Sequence, residues 1–199
     1  LTSGSIFVSE TDALEIGAVG ASVTQVFSNG TTSVTTDAIQ SDVQTTANGD
    51  IYLYAAGALS LNDGSDGDGI SAIAHGTGRI RLASGATVTV NADVASTTGV
   101  VTVEAVGNLT VGADVSVSTG ADISLESTSG NIELGVESFV NAGSAVVRLA
   151  ALGTVSVGDI TASSVSLISG GALTVASANS LITANDLRIA SGSVGTATA

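Results

Sequence analysis

Apolar residues recur in pairs that alternate with polar ones, and the pairs return about every twenty residues along nearly the whole chain. One set is Ile51/Leu53, Ile80/Leu82, Val101/Val103, Ile123/Leu125, Val147/Leu149, Val165/Leu167 and Leu187/Ile189, with steps of 29, 21, 22, 24, 18 and 22 residues. Alternation of period two marks a strand with one buried face. A second set follows at an offset of seven to nine residues: Leu59/Leu61, Val88/Val90, Leu109/Val111, Ile132/Leu134, Val155/Val157, Leu173/Val175 and then Val194. Ile6/Val8 followed by Leu14/Ile16 repeats that offset near the N-terminus. A third, looser apolar position closes each period at Val94, Val115/Val117, Phe139/Val140, Ile160 and Leu181/Ile182. Three short strands per period, each bonded to its equivalent one period away, predict an all-β fold: a parallel β-solenoid of about eight coils spaced roughly 4.8 Å apart. Right-handed coiling is the usual sense of parallel crossovers.

Glycine punctuates the turn between the first two strands. Gly57, Gly107, Gly130, Gly153, Gly171 and Gly192 each stand two residues before the second strand's first apolar residue, with Gly85 displaced by one. The expected reasons are a positive φ at the corner and room for the neighbouring coil to approach. The chain contains no proline, which would remove a ladder donor.

Two segments break the period. Residues 17–50 are too long for a plain coil and hold two extended runs around Asn29-Gly30, a signal for a type I′ turn, so a projecting hairpin or an elaborated coil is expected there. Residues 62–69, Asn-Asp-Gly-Ser-Asp-Gly-Asp-Gly, form an acidic loop inserted after a strand and account for the 29-residue step.

Composition narrows the function classes. Aromatics make up 3% of the chain, cysteine is absent, and Lys plus Arg number four against eighteen acidic residues, giving a formal net charge of −14. Such a balance disfavours nucleic acid and anionic membrane as partners. No apolar run approaches the length of a membrane span, so membrane insertion is not expected. A surface of Ser, Thr, Asn and Gly with few charges suits an extracellular setting.

Several groups are candidates for chemistry. Asp63, Asp66 and Asp68 place three carboxylates on one glycine-rich turn, and hard cations such as calcium take oxygen ligands of this kind; the competing reading is a solvated acidic loop. Asp93, Asp114 and Asp159, with Glu137 nearby, fall at similar places in successive coils and are expected to stack on one edge, either capping the corner or bridged by cations. Asp50 below Arg79 predicts an inter-coil ion pair. Glu104 and Glu126 fall in adjacent layers, and a separation near 5 Å would suit a retaining glycoside hydrolase. Only Tyr52 and Tyr54 are tyrosines, too few to furnish the long aromatic platform such an enzyme uses. His75, the single histidine, has no evident partner in the sequence and reads as a surface residue.

The coil motifs Gly78-Arg-Ile-Arg-Leu-Ala-Ser-Gly85 and Gly130-Asn-Ile-Glu-Leu-Gly135 resemble the repeats of very large bacterial surface proteins of the filamentous-haemagglutinin and autotransporter-adhesin type. The ending Asn185-Asp-Leu-Arg-Ile-Ala-Ser-Gly-Ser-Val-Gly-Thr-Ala-Thr198 is similar to the close of a long repeat unit in such proteins. The resemblance implies a structural or adhesive role at the cell surface, as in fibres and biofilms, with glycans or other surface components as partners. It carries no catalytic residues. Spacing adds a separate expectation: if a second copy followed Ala199, its Ile6 would lie 18 residues after Leu187 and its Leu14 would lie 19 after Val194, close to the shortest internal step of 18. Residues 1–199 therefore read as one solenoid unit of a longer tandem array, self-associating head to tail. The alternative is a polysaccharide-active enzyme on a pectate-lyase-like β-helix.

Overall fold

The structure, a computed structural model, describes residues 4–195. Residues 1–3 and 196–199, with the join between Ala199 and Leu1 and the last residues of the closing motif, lie outside the described residues.

The first coil holds β1 (Ile6–Glu10) and β2 (Leu14–Ile16), an excursion through β3 (Ser22–Val26) and β4 (Thr32–Thr36), and then β5 (Val43–Thr45). Coils of three strands follow: β6 (Ile51–Ala55), β7 (Leu59–Leu61) and, after the acidic loop, β8 (Ile70–Ala74), then β9 (Ile80–Ser84), β10 (Val88–Val90) and β11 (Asp93–Ser96). The fourth is β12 (Val101–Ala105), β13 (Leu109–Val111) and β14 (Ser116–Ser118), and the fifth is β15 (Ile123–Ser127), β16 (Ile132–Leu134) and β17 (Phe139–Asn141). After β18 (Val146–Ala151), β19 (Val155–Val157) and β20 (Asp159–Thr161), the chain runs through β21 (Ser164–Val175), β22 (Ile182–Thr183) and β23 (Asp186–Val194). β21 serves two faces in one strand, since its first half pairs with β18 and its second with β19.

All pairings between coils are parallel, and the protein is a β-solenoid with three faces. The apolar columns inferred from spacing are the columns of the structure. Ile51, Ile80, Val101, Ile123, Val147, Val165 and Leu187 follow one another in register on the first face, with Ile6 below them. Leu14, Leu59, Val88, Leu109, Ile132, Val155, Leu173 and Val194 do so on the second. Inward side chains such as Leu53, Leu82, Leu125 and Leu149 are fully buried. Removing one of these to alanine would cost about 2–5 kcal/mol, because neighbours held in ladders collapse poorly into the gap. The third sheet has seven strands, β5 to β22, so the coil count is slightly lower than the eight expected. Its first inward residues are Val43 and Ala72, in register below Val94.

The corner glycines behave differently from expectation in one respect. Gly57, Gly107, Gly130, Gly153, Gly171 and Gly192 are not among the left-handed residues, so positive φ is not what they supply. Close approach is. A Cβ on Gly130 would lie 2.6 Å from the Gly107 carbonyl carbon, and one on Gly57 2.9 Å from the Asp12 carbonyl carbon.

The segment 17–50 contains the hairpin. β3 and β4 pair antiparallel, and a bridge between Val19 and Gln40 closes the base. The turn is not type I′. Only Gly30 has a left-handed φ of 80°, while the Gly30 N–H donates to the Phe27 carbonyl at 2.9 Å. That is a type I turn followed by a left-handed glycine, with the Asn29 carboxamide accepting the Thr31 N–H at 3.0 Å. Every residue of both strands is exposed.

Candidate functional site

Both insertions sit between the second and third faces of adjacent coils, the hairpin between β2 and β5 and the acidic loop between β7 and β8. They meet there. The Ser65 N–H donates to the Ser41 hydroxyl at 3.2 Å, tying the loop to the hairpin's return.

That contact sets the acid cluster. Asp42, Asp66 and Asp68 bring carboxylate oxygens within 4.8 Å of one another. Of the three residues expected from the sequence, Asp66 and Asp68 converge, but Asp63 is replaced by Asp42. Asp63 Oδ1 instead accepts the Gly69 N–H at 2.9 Å and closes the loop on itself. Asp68 also caps the strand that follows, accepting the Ile70 N–H at 2.8 Å. Asp42 lies 24 residues from Asp66 in the chain and outside the acidic run, so no local spacing pointed to it. The available signal was Val43, the apolar residue that brings the chain back to the third face.

Asp42 is held in a left-handed conformation, φ 54°, and its Oδ1 is buried without a hydrogen-bond partner. Burial first, then the charges of Asp66, Asp68 and Asp63, push its pKa from 3.8 up to about 6. Three converging carboxylates supply oxygen ligands of the kind calcium takes, though fewer than its usual roughly six to eight, and a bound cation would lower that pKa again.

The expected stack of Asp93, Asp114, Asp159 and Glu137 does not form. Asp93 has Ser116 as its neighbour in the next coil and Phe139 in the one after, so neutral layers separate it from Asp159. Both acids cap instead: Asp93 accepts the Ser116 N–H at 2.7 Å and Asp159 accepts the Leu181 N–H at 2.8 Å. Asp50 and Asp122 do the same for Arg79 and Val146 at 2.8 and 3.0 Å. Asp114 and Glu137 form a separate pair of corners, each left-handed at φ 59°. Short polar side chains tolerate that conformation better than branched ones, which explains Asp114 but not Glu137.

The outer side of the first face gathers most of the remaining polar chemistry. Glu104 and Glu126 are register partners in adjacent coils. Each is already engaged by an arginine in its other neighbouring layer: Arg81 pairs with Glu104, and Arg148 donates to Glu126 at 2.8 Å. Arg81 also donates to the Tyr52 hydroxyl at 2.8 Å, with its guanidinium carbon 5.2 Å from the Tyr52 ring centre. Phe7 stands beside Tyr52, ring centres 6.2 Å apart. The expected Asp50–Arg79 ion pair is present at 3.6 Å, with Arg79 largely exposed. His75 meets Gln44 at 3.2 Å on the third face, a partner the sequence did not reveal.

No protein-family model matches the chain, and no curated protein or solved structure matches it.

Proposed function

We propose that the protein is a structural or adhesive module of an extracellular rod, extended head to tail by further coils in the same register. The observation that carries this reading is the state of the last layer. β23 bonds to β21 alone and β1 to β6 alone among the described residues, leaving a free ladder edge at each end of the stack. In the same columns, Leu187 and Val194 are 51% and 68% exposed, whereas Val165 and Leu173 one coil earlier are 2% and 6% exposed. Open strand edges over apolar side chains template further pairing. A following coil would satisfy both at once.

A surface rich in Ser, Thr, Asn and Gly supports a location outside the cell. The projecting hairpin and the acidic loop would stand off the rod as lateral contact points. A polysaccharide-active enzyme is less well supported, since Glu104 and Glu126 are each tied to an arginine.

Two copies joined directly, Ala199 to Leu1, test the reading. Small-angle scattering should show a rod of doubled length and unchanged cross-section, melting cooperatively and at a higher temperature than one copy. Two independently tumbling bodies with the melting temperature of a single copy would overturn it.

A further inference from the structure

We propose that the outer side of the first face, over the first four coils, binds a neutral glycan through Phe7, Tyr52, Tyr54, Arg81 and Glu104. The chain has five aromatic residues, three Phe and two Tyr, and three of them lie here. Register puts Phe7 beneath Tyr52 and Ser9 beneath Tyr54, so the rings occupy neighbouring outward rows of two adjacent coils. The fold does not ask for them. In later coils the same row is filled by Arg81, Thr102, Ser124, Arg148, Ser166 and Arg188, none of them aromatic. Phe7 lies in the outermost layer, and its ring is 71% exposed, apolar surface that a ligand lying along this row would cover.

The surface is shaped as well as aromatic. Two depressions of about 230 and 260 Å³ adjoin, sharing Tyr52 and Arg81; Phe7 and Arg79 wall the first, Tyr54 and Glu104 the second. Each is smaller than the ~300 Å³ at which pockets for drug-sized molecules begin, and so accommodates about one ring. Together they make a two-ring track on the side of the rod.

Charge selects the ligand class. Arg81 is neutralised by Glu104 and Arg79 by Asp50, so a charged ligand would have to break an ion pair to gain one. Hydrogen-bonding capacity remains in spite of this. Arg81 uses one N–H on Tyr52 and one on Glu104 and has further N–H groups, while the Tyr54 hydroxyl has no partner among the described residues. A pyranose ring offers the complement: an apolar face of C–H groups for the aromatic rings and an edge of hydroxyls for the guanidinium, carboxylate and phenol.

The chain has no tryptophan, and both of its tyrosines lie in this track, so intrinsic tyrosine emission reports the site directly. The intact protein is titrated with cellohexaose, maltohexaose and chitohexaose, with a heparin hexasaccharide as the acidic comparison. At least one neutral sugar should give a saturable change in emission, confirmed by calorimetry. Phe7→Ala should weaken that binding about three- to tenfold at unchanged melting temperature, and Tyr54→Phe by a smaller factor. Loss of binding in Phe7→Ala together with a lowered melting temperature would be resolved by Phe7→Leu, which keeps the apolar bulk and should still bind more weakly. Silence with all three neutral sugars, a response to the acidic one alone, or equal affinity in Phe7→Ala overturns the proposal. The titration needs only one copy of the chain, so its failure is separate from any failure of head-to-tail extension.

Discussion

Ser127 donates its hydroxyl to the Gly107 carbonyl in the preceding coil at 2.7 Å and accepts the Gly130 N–H at 3.0 Å. Ser84 and Ser169 repeat the bond to Gly57 and Gly153 at 2.6 and 2.9 Å. A buried hydroxyl thus locks one corner to the next along the rod, while Ala105 fills the same position in the coil between Ser84 and Ser127. Ser127→Ala should lower stability by about 1–2 kcal/mol, since two backbone groups lose a partner where water has little access. Urea unfolding measures it, with exposed Thr128→Ala as the comparison, expected within about 0.5 kcal/mol of wild type.

Close approach and left-handed φ make different demands on glycine, and the two can be separated. A Cβ at Gly130 would lie 2.5 Å from Asn108 Oδ1 and 2.6 Å from the Gly107 carbonyl carbon, so Gly130→Ala should cost about 2–3 kcal/mol through overpacking. Gly67 has φ 71° and open space around it, so Gly67→Ala should cost only the left-handed strain of about 1–2 kcal/mol. Equal losses in thermal denaturation would refute the packing account of the corner glycine.

Acid should stabilise the hairpin–loop corner. The Asp42 pKa is raised to about 6 from 3.8, so the folded state holds this proton more tightly than the unfolded chain does. Its contribution to stability is therefore greatest at low pH and declines as pH rises from about 4 through 6, beyond which it is constant. Asp42→Asn should flatten this portion of the pH–stability curve and melt higher than wild type at pH 7.

Calcium is the other way to relieve the same repulsion. At pH 7 it should raise the wild-type melting temperature, and at pH 5 it should do so less, because protons occupy Asp42. An identical melting temperature with calcium and with chelator at pH 7 would remove calcium from the description of this corner.

The hairpin contributes little to the solenoid it projects from. Its strands are exposed throughout, Val26 to 73%, and a lone two-stranded ribbon is marginal in water. Replacing residues 20–39 by Asn-Gly, so that Val19 and Gln40 close a tight turn, should change unfolding free energy by less than about 1 kcal/mol. Loss of cooperative unfolding in that variant would show that the hairpin helps hold the first coil.

The regular coils were legible because a ladder leaves one side-chain row in each face pointing inward, and the apolar residues of that row must recur whenever the chain returns. Ile51 to Leu187 and Leu59 to Val194 were therefore readable as columns, register included. Alanine weakened the signal where the core is thin, so Ala72 on the third face went unmarked although it lies in register with Val94. The acids were less legible. Asp93 and Asp114 look equivalent beside their valines, yet one caps the next coil and the other turns a left-handed corner, a difference in backbone angle that composition does not carry.

What the sequence by itself determined is the repeat: two apolar columns, a looser third, a glycine at each corner and two insertions at 17–50 and 62–69. Only the tertiary structure decided what the insertions do, because neither has a period and each is placed by where its ends rejoin the coils. Asp42 meets Asp66 and Asp68 since the hairpin's return and the acidic loop leave the same corner in adjacent layers. Phe7, Tyr52 and Arg81 meet for a related reason. Outward rows are free of the burial constraint that makes inward ones periodic, and only the stacking of coils shows which residues share them.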